Sequence, residues 1–223
     1  EIDSWIRLTR VLTHEIMNAV TPITSLSDTL LGLTEAQVSK EEIRNGLQTI
    51  SSTGKGLLSF VESYRKFTRI PTPEPSLFYV KSFIERMVEL ARHQHPDVRV
   101  TFHTDIAPSD LILYADENLV SQVVINLLKN AIQAIESDKN TDKEGHINIR
   151  AYCNEAEAIL IEISNNGPAI PNDIAEHIFI PFFTTKEGGS GIGLSISRQI
   201  MRLSGGNLSL LPSKETTFIL KFN

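Results

Sequence analysis

Three prolines at every second position, in Ile70-Pro71-Thr72-Pro73-Glu74-Pro75, set the first limit on what this 223-residue chain can fold into. Each ring fixes φ and removes a backbone donor, so neither a helix nor a central strand can cross the segment, and a stiff extended connector is expected. The sequence thereby divides into residues 1–69, a linker at 70–75 and residues 76–223. The parts differ in charge. Residues 1–69 hold 8 Lys and Arg against 8 Asp and Glu, while the rest holds 13 against 19, so the second part carries the whole net charge of −6. A nucleic-acid reader needs clustered cations to neutralise phosphates, and this balance argues against one. Apolar runs such as Ile178 to Phe183 fall far short of the about 20 residues that cross a bilayer, so no membrane contact is expected of this segment. No basic-then-apolar leader stands at Glu1, which predicts either a cytosolic chain or one preceded by other parts.

In the first part, apolar residues recur in steps of three and four through Trp5, Leu8, Leu12, Ile16, Ala19, Ile23, Leu26 and Leu30. This predicts a long helix with a kink near Pro22. A second series, Ile43, Leu47, Ile50, Gly54, Leu57 and Val61, follows the polar stretch Thr34 to Glu42 and predicts a second helix. Two such stripes are poorly covered in one hairpin, whereas two hairpins close a four-helix bundle, so a homodimer is expected with Trp5 capping its core.

Beyond the prolines the periodicity changes type repeatedly. It is helical near Val80 to Arg92, strand-like at Val98 to Thr104 and Leu111 to Tyr114, and helical again from Glu117 to Ile135. Strand patterns return at His146 to Cys153 and Ala158 to Ser164, a last helix is expected from Ser190 to Leu203, and Asn207 to Leu211 and Thr216 to Phe222 are extended. The fold class is therefore α+β: a helical hairpin that dimerises, followed by an α/β sandwich of a mixed sheet with helices on one face. The single cysteine, Cys153, continues the alternation Ile147, Ile149, Ala151 and is expected as a strand-core thiol.

Four features carry chemistry. In His14-Glu15-Ile16-Met17-Asn18 the histidine lies about 200° from the stripe residues Leu12 and Ile16, so its ring is expected to face solvent beside a carboxylate. Asparagine at position 18 breaks the zinc motif H-E-x-x-H. Asn126 and Asn130 stand four residues apart on an apolar helix, where amides need partners and a carboxamide oxygen can serve as a Mg²⁺ ligand. Ser164-Asn165-Asn166-Gly167-Pro168 ends an apolar strand in a turn. Finally, Thr184-Thr185-Lys186-Glu187-Gly188-Gly189-Ser190-Gly191-Ile192-Gly193-Leu194 is a glycine-rich loop entering a helix, suited to anions through backbone N–H groups. Its G-x-G-x-G spacing fits neither the dinucleotide fingerprint nor the P-loop. Taken singly, each has an ordinary reading: a surface histidine, a helix-to-loop amide contact, a turn, a flexible loop. His93 and His95 diverge at a helix end, and they and His103 are expected at the surface without a metal.

Together and in this order, the four resemble the catalytic core of a two-component sensor histidine kinase, across essentially the whole chain. His14 to Ile23 resembles the H box, Asn126 to Ala134 the N box, Asn165 to Ile170 the G1 box, Phe179 to Lys186 the F box, and Gly189 to Leu194 the G2 box. The resemblance implies a dimerisation and histidine-phosphotransfer hairpin at 1–69 and a Bergerat-type ATP-binding domain at 76–223, with ATP and Mg²⁺ as cofactors. It implies that His14 attacks the γ-phosphate of ATP, with Glu15 orienting the ring or taking its proton, and that a response-regulator receiver domain then accepts the phosphoryl group. Asn18 would position water for a phosphatase reaction on that partner. Asn130 with Asn126 would hold Mg²⁺; Gly189, Gly191 and Gly193 would cradle the phosphates, with Lys186 reaching the γ-phosphate; Lys129, Thr185 and Leu194 would also contact the nucleotide; Asn165, Gly167, Ile170 and Thr217 would form the adenine pocket. The implied setting is the cytoplasmic portion of a sensor, of a kind often anchored in an inner membrane by upstream parts.

Some positions depart from the pattern. Asn165 replaces the usual aspartate, Ala169 a usual glycine and Ala19 a frequent proline, and the interval between Lys186 and Gly189 is short, as in nitrogen-regulation-like members. Two rivals stand beside the kinase: another Bergerat ATPase, of the gyrase, mismatch-repair or chaperone kind, against which the histidine hairpin argues, and a degenerate kinase acting only as a scaffold.

Overall fold

The computed structural model describes residues 2–32, 39–138, 144–186, 189–211 and 215–223; the side chains of 1–12, 14, 15, 31–38 and 66 also lie outside the description. Two compact units, Glu1–Arg69 and Ile70–Asn223, make up the chain.

The first unit pairs α1 (Ile2–Gly32) with α2 (Lys40–Thr68). Helix α1 continues through Pro22. Nearby hydroxyls fold back on its backbone, Thr24 Oγ1 donating to the carbonyls of Val20 and Thr21 at 3.0 Å. Helix α2 opens with a capping box in which Ser39 Oγ accepts from the Glu42 N–H at 3.2 Å and Glu42 Oε2 accepts from the Ser39 N–H at 2.8 Å. This satisfies two of the donors that a helix start leaves over. The helices approach closely at Gly46, where a Cβ would lie 3.2 Å from Leu30 Cδ1. Part of the predicted stripe stays open: Leu47 is 55% and Val61 48% exposed. Thr34 in the inter-helix stretch and the side chain of Trp5 fall outside the described residues.

The second unit contains β1 (Ser76–Tyr79), α3 (Val80–Gln94), β2 (Val100–Ala107), β3 (Ile112–Ala115), α4 (Glu117–Glu136), β4 (Gly145–Cys153), β5 (Ile159–Asn165), α5 (Asn172–Ala175), α6 (Gly193–Leu203), β6 (Asn207–Leu211) and β7 (Thr216–Phe222). Five strands form a mixed sheet in the order β2-β4-β5-β7-β6, with β2 and β4 parallel and the other pairs antiparallel. Alternation along β4 buries Gly145, Ile147, Ile149 and Ala151 and leaves the intervening residues partly open. One face of the sheet is thus apolar, and α3, α4 and α6, each touching the next, pack on strands of the sheet. Phe83, Leu127, Leu128, Ile147, Ile161 and Ile200 are among the fully buried side chains between the layers. The α+β architecture expected from periodicity is the one found.

Three details differ from expectation. Strands β1 and β3 pair as a separate two-stranded ribbon, and β1 went unread because four residues are too few to display a period. The last helix begins at Gly193, not Ser190. Cys153 is exposed, not a core thiol: its alternation runs one step past the helical cover, and it sits on the terminal rung opposite Ile159.

Candidate functional site

Helix α4 is set in place at its first residue. Asp116 caps it, Oδ1 accepting from the N–H groups of Asn118 and Leu119 at 3.0 Å, while Oδ2 accepts from the Glu74 N–H at 2.8 Å. The last residues of the proline segment are thereby fastened to the helix start. These bonds, that from Glu74 first, hold the Asp116 carboxyl below the usual carboxylate range even though its burial opposes ionisation.

From there α4 buries Val123, Val124, Leu127 and Leu128 and turns a polar row the other way, in steps of four and three: Asn126, Asn130 and Gln133. Asn126 Nδ2 donates to Ser197 Oγ on α6 at 3.0 Å. Its Oδ1 lies where a Cβ on Gly193 would clash, so the first residue of α6 has room only for glycine. Asn130 Oδ1 accepts from Lys186 Nζ at 3.3 Å, and Gln133 Oε1 accepts from the same ammonium at 2.7 Å. Desolvation at this rim, with Lys129 nearby, pushes the Lys186 amine below its ordinary pKa.

The glycine-rich segment approaches α6 through two residues with positive φ, Phe182 at 66° and Gly191 at 64°. A Cβ on Gly191 would sit 2.5 Å from the Phe182 carbonyl carbon, so backbone meets backbone there. Glu187 and Gly188 lie outside the described residues. Opposite, β5 ends at Asn165, whose register partner on β7 is Thr216.

These elements enclose a cavity of about 760 Å³. Asn126, Lys129, Asn130, Asn165, Ile170, Thr185, Lys186, Gly189, Gly191, Gly193 and Leu194, all singled out from sequence, line it. Two others do not. Gly167 packs on α4, where a Cβ would come within 2.9 Å of the Ala134 carbonyl carbon, and Thr217 is replaced in the lining by its neighbour Thr216. Gln133, Ile174, Ile178, Thr216 and Phe218 were not anticipated. Gln133 was legible as the next step of the amide row, and Thr216 needed only the strand parity that pairs it with Asn165. The lining combines polar groups and the start of α6 with the apolar side chains of Ile170, Ile174, Ile178 and Phe218. An anionic group suits the first and a flat apolar one the second.

His14, Glu15 and Asn18 all belong to α1. The side chains of His14 and Glu15 lie outside the described residues, and Asn18 is exposed. Among the described residues no group of three or more His, Cys, Asp and Glu could hold a metal ion, and no helix is long and apolar enough to cross a membrane.

Residues 115–223 match the family described as histidine kinase-, DNA gyrase B-, and HSP90-like ATPase. The nitrogen regulation protein NtrY of Azorhizobium caulinodans is 31% identical over 215 residues, which are 95% of this chain and 27% of NtrY. The catalytic domain of the histidine kinase ThkA, in a nucleotide-free form, is 32% identical with a TM-score of 0.57, over 67% of this chain and 95% of that one. ThkA in complex with the response regulator protein TrrA superposes on 100% of this chain and 64% of its own, with a TM-score of 0.67 at 24% identity, a likeness of fold. The chain belongs to the sensor histidine kinase family. It spans between 27% and 33% of the length of three of the curated relatives it matches, NtrY among them.

Proposed function

We propose that this chain is the phosphotransfer core of a two-component sensor: residues 1–69 the dimerisation and histidine-phosphotransfer unit, 70–75 the linker, and 76–223 the ATP-binding catalytic unit. The observation that carries this reading is the convergence of Asn130, Lys186, the Gly189 to Gly193 loop and Asn165 on one cavity, in a chain whose other unit bears His14 on a helix.

In this reading the adenine ring lies along Ile170, Ile174 and Phe218, and the triphosphate runs toward the start of α6, where loop N–H groups and the helix dipole meet its charge. Lys186 leaves Gln133 and Asn130 for the γ-phosphate, whose anion restores the solvation its amine lacks. The donor set fits Mg²⁺. Asn130 Oδ1 already faces a cation in Lys186, and a neutral amide suffices where phosphate oxygens provide most of the ligands. When bound, the ion would offset charge on the transferring phosphoryl group.

A neutral ring nitrogen of His14 attacks the γ-phosphorus, the bond from that phosphorus to the β–γ bridging oxygen breaks, and ADP leaves. Glu15 orients the ring through its other nitrogen or takes the proton released from it. The phosphoryl group then passes to an aspartate of a receiver domain, a partner class supported by the ThkA complex with TrrA. Incubation with γ-³²P-ATP should give acid-labile label on the wild type and none on His14→Ala. ATP hydrolysis without labelled protein would mean an ATPase of another kind. Asn18, one turn beyond His14, serves a separate phosphatase reaction by holding water against the phosphorylated receiver, whose aspartyl phosphate is hydrolysed to aspartate and inorganic phosphate. Receiver dephosphorylation should slow at least about tenfold in Asn18→Ala, on the scale of one lost positioning group, and an unchanged rate would remove that role.

A further inference from the structure

We propose that Gln133 limits the preference of this site for ATP over ADP, because its side chain competes with the γ-phosphate for the Lys186 ammonium, an inference that rests on the nucleotide site proposed above. Gln133 lines the cavity from α4, and its Oε1 accepts from Lys186 Nζ at 2.7 Å, against 3.3 Å for Asn130 Oδ1. The shorter bond makes Gln133 the principal holder of that ammonium.

Position along α4 turns this contact into a restraint. Asn126 meets Ser197 and Gly193 on α6, and Gln133 stands two turns further on, about 10 Å along the axis at 1.5 Å per residue. A lysine bonded to Gln133 is drawn toward the C-terminal end of the amide row, away from the start of α6. Its backbone need not move for the partners to change. The Lys186 N–H donates to Thr184 Oγ1 at 3.1 Å and its carbonyl accepts from the Gly189 N–H at 3.2 Å, so the exchange is a swing of the side chain.

The acceptors that hold it are neutral. Among the described residues Lys186 forms no ion pair with a carboxylate, and its hold rests on the two amides. Phosphate oxygens make stronger, charge-assisted bonds to an ammonium than a carboxamide does, so a γ-phosphate can take Lys186 from Gln133. ADP ends at the β-phosphate, and Lys186 then keeps Gln133. Binding of ATP therefore carries the loss of the Gln133 bond and binding of ADP does not, so removing that acceptor favours ATP alone.

Calorimetric titration of the 223-residue protein in Mg²⁺, with ADP and with the β,γ-imido analogue of ATP, tests this without phosphoryl transfer. Gln133→Met, which keeps the side-chain length and removes the acceptor, should bind the analogue about fivefold more tightly, the usual worth of one hydrogen bond, and ADP within about twofold of wild type. In a Lys186→Met background the same substitution should change neither, a result that a direct contact between Gln133 and the nucleotide would not give. Unchanged or weaker binding of the analogue by Gln133→Met overturns the proposal; weaker binding assigns Gln133 to presenting Lys186, whose third donor then meets the phosphate. Equal shifts for both nucleotides, or an effect that survives in the Lys186→Met background, overturn the coupling through Lys186. Circular dichroism checks folding, and Gln133→Ala, judged by the same criteria, replaces a variant that does not fold. Failure of both nucleotides to bind the wild type removes the nucleotide site itself.

Discussion

Gly191 is where a single atom would be felt most directly. Its φ of 64° is left-handed, and a methyl group there would press on the Phe182 backbone, which cannot swing aside as a side chain can. Gly191→Ala should lower stability by about 1–2 kcal/mol from the backbone conformation alone and, by displacing the loop, weaken ATP binding more than tenfold. Thermal melting and calorimetry check the two effects; a variant matching the wild type in both would show that the loop adjusts freely. At this scale the sequence was informative about residue type and less so about orientation. The glycines and amides announced themselves, because few other residues can do what the loop and the helix row require. Thr217 was chosen over Thr216 because a strand turns alternate residues to opposite faces, and its parity cannot be read until the pairing of β7 with β5 is known. Asn126 shows the opposite case: an amide expected to assist a metal also ties α4 to α6 through Ser197, a contact between residues 71 positions apart.

Among elements, α4 governs the site, since its polar row forms one wall while its apolar side is buried in the core. Its position depends on Asp116, a capping residue that also grips the backbone of Glu74. Removing the carboxylate in Asp116→Ala should cost about 1–2 kcal/mol, the usual worth of such a cap. The pH dependence follows from the direction of the shift. The folded-state pKa lies below the unfolded value of about 3.9, so the contribution is fully present above that pH and is lost as pH falls through the folded pKa. The stability difference between wild type and Asp116→Ala, from denaturant melts at a series of pH values, should therefore be constant near neutrality and shrink below about pH 4. A difference that stayed constant into strong acid would assign the effect to packing instead. Long elements such as α4 were legible because many residues repeat one period; β1 and α5, with four residues each, offer too little repetition to be read.

For the molecule as a whole, the first unit carries the clearest sign of something more than one chain. Apolar positions of its own helical stripe remain open, Leu47, Val61, Ile43 and Ile16 all being at least 40% exposed. A second hairpin covering them is the arrangement proposed here. The protein should sediment at twice its 24.9 kDa chain mass, and Leu47→Glu, which sets a charge into that seam, should shift it toward monomer. Wild-type protein that stayed monomeric at tens of micromolar would exclude the bundle. The division into two units could be anticipated from three spaced prolines. That the segment's end is fastened to α4 could not, because the fastening is a backbone N–H, which no side-chain pattern reports. The lone thiol at the open end of β4 has a practical corollary. With one cysteine per chain and that one exposed, a spin label attaches at a single known place without mutagenesis, and a paired assembly would carry two. The spread of distances between those two labels, recorded with and without nucleotide, would map how freely the catalytic units travel.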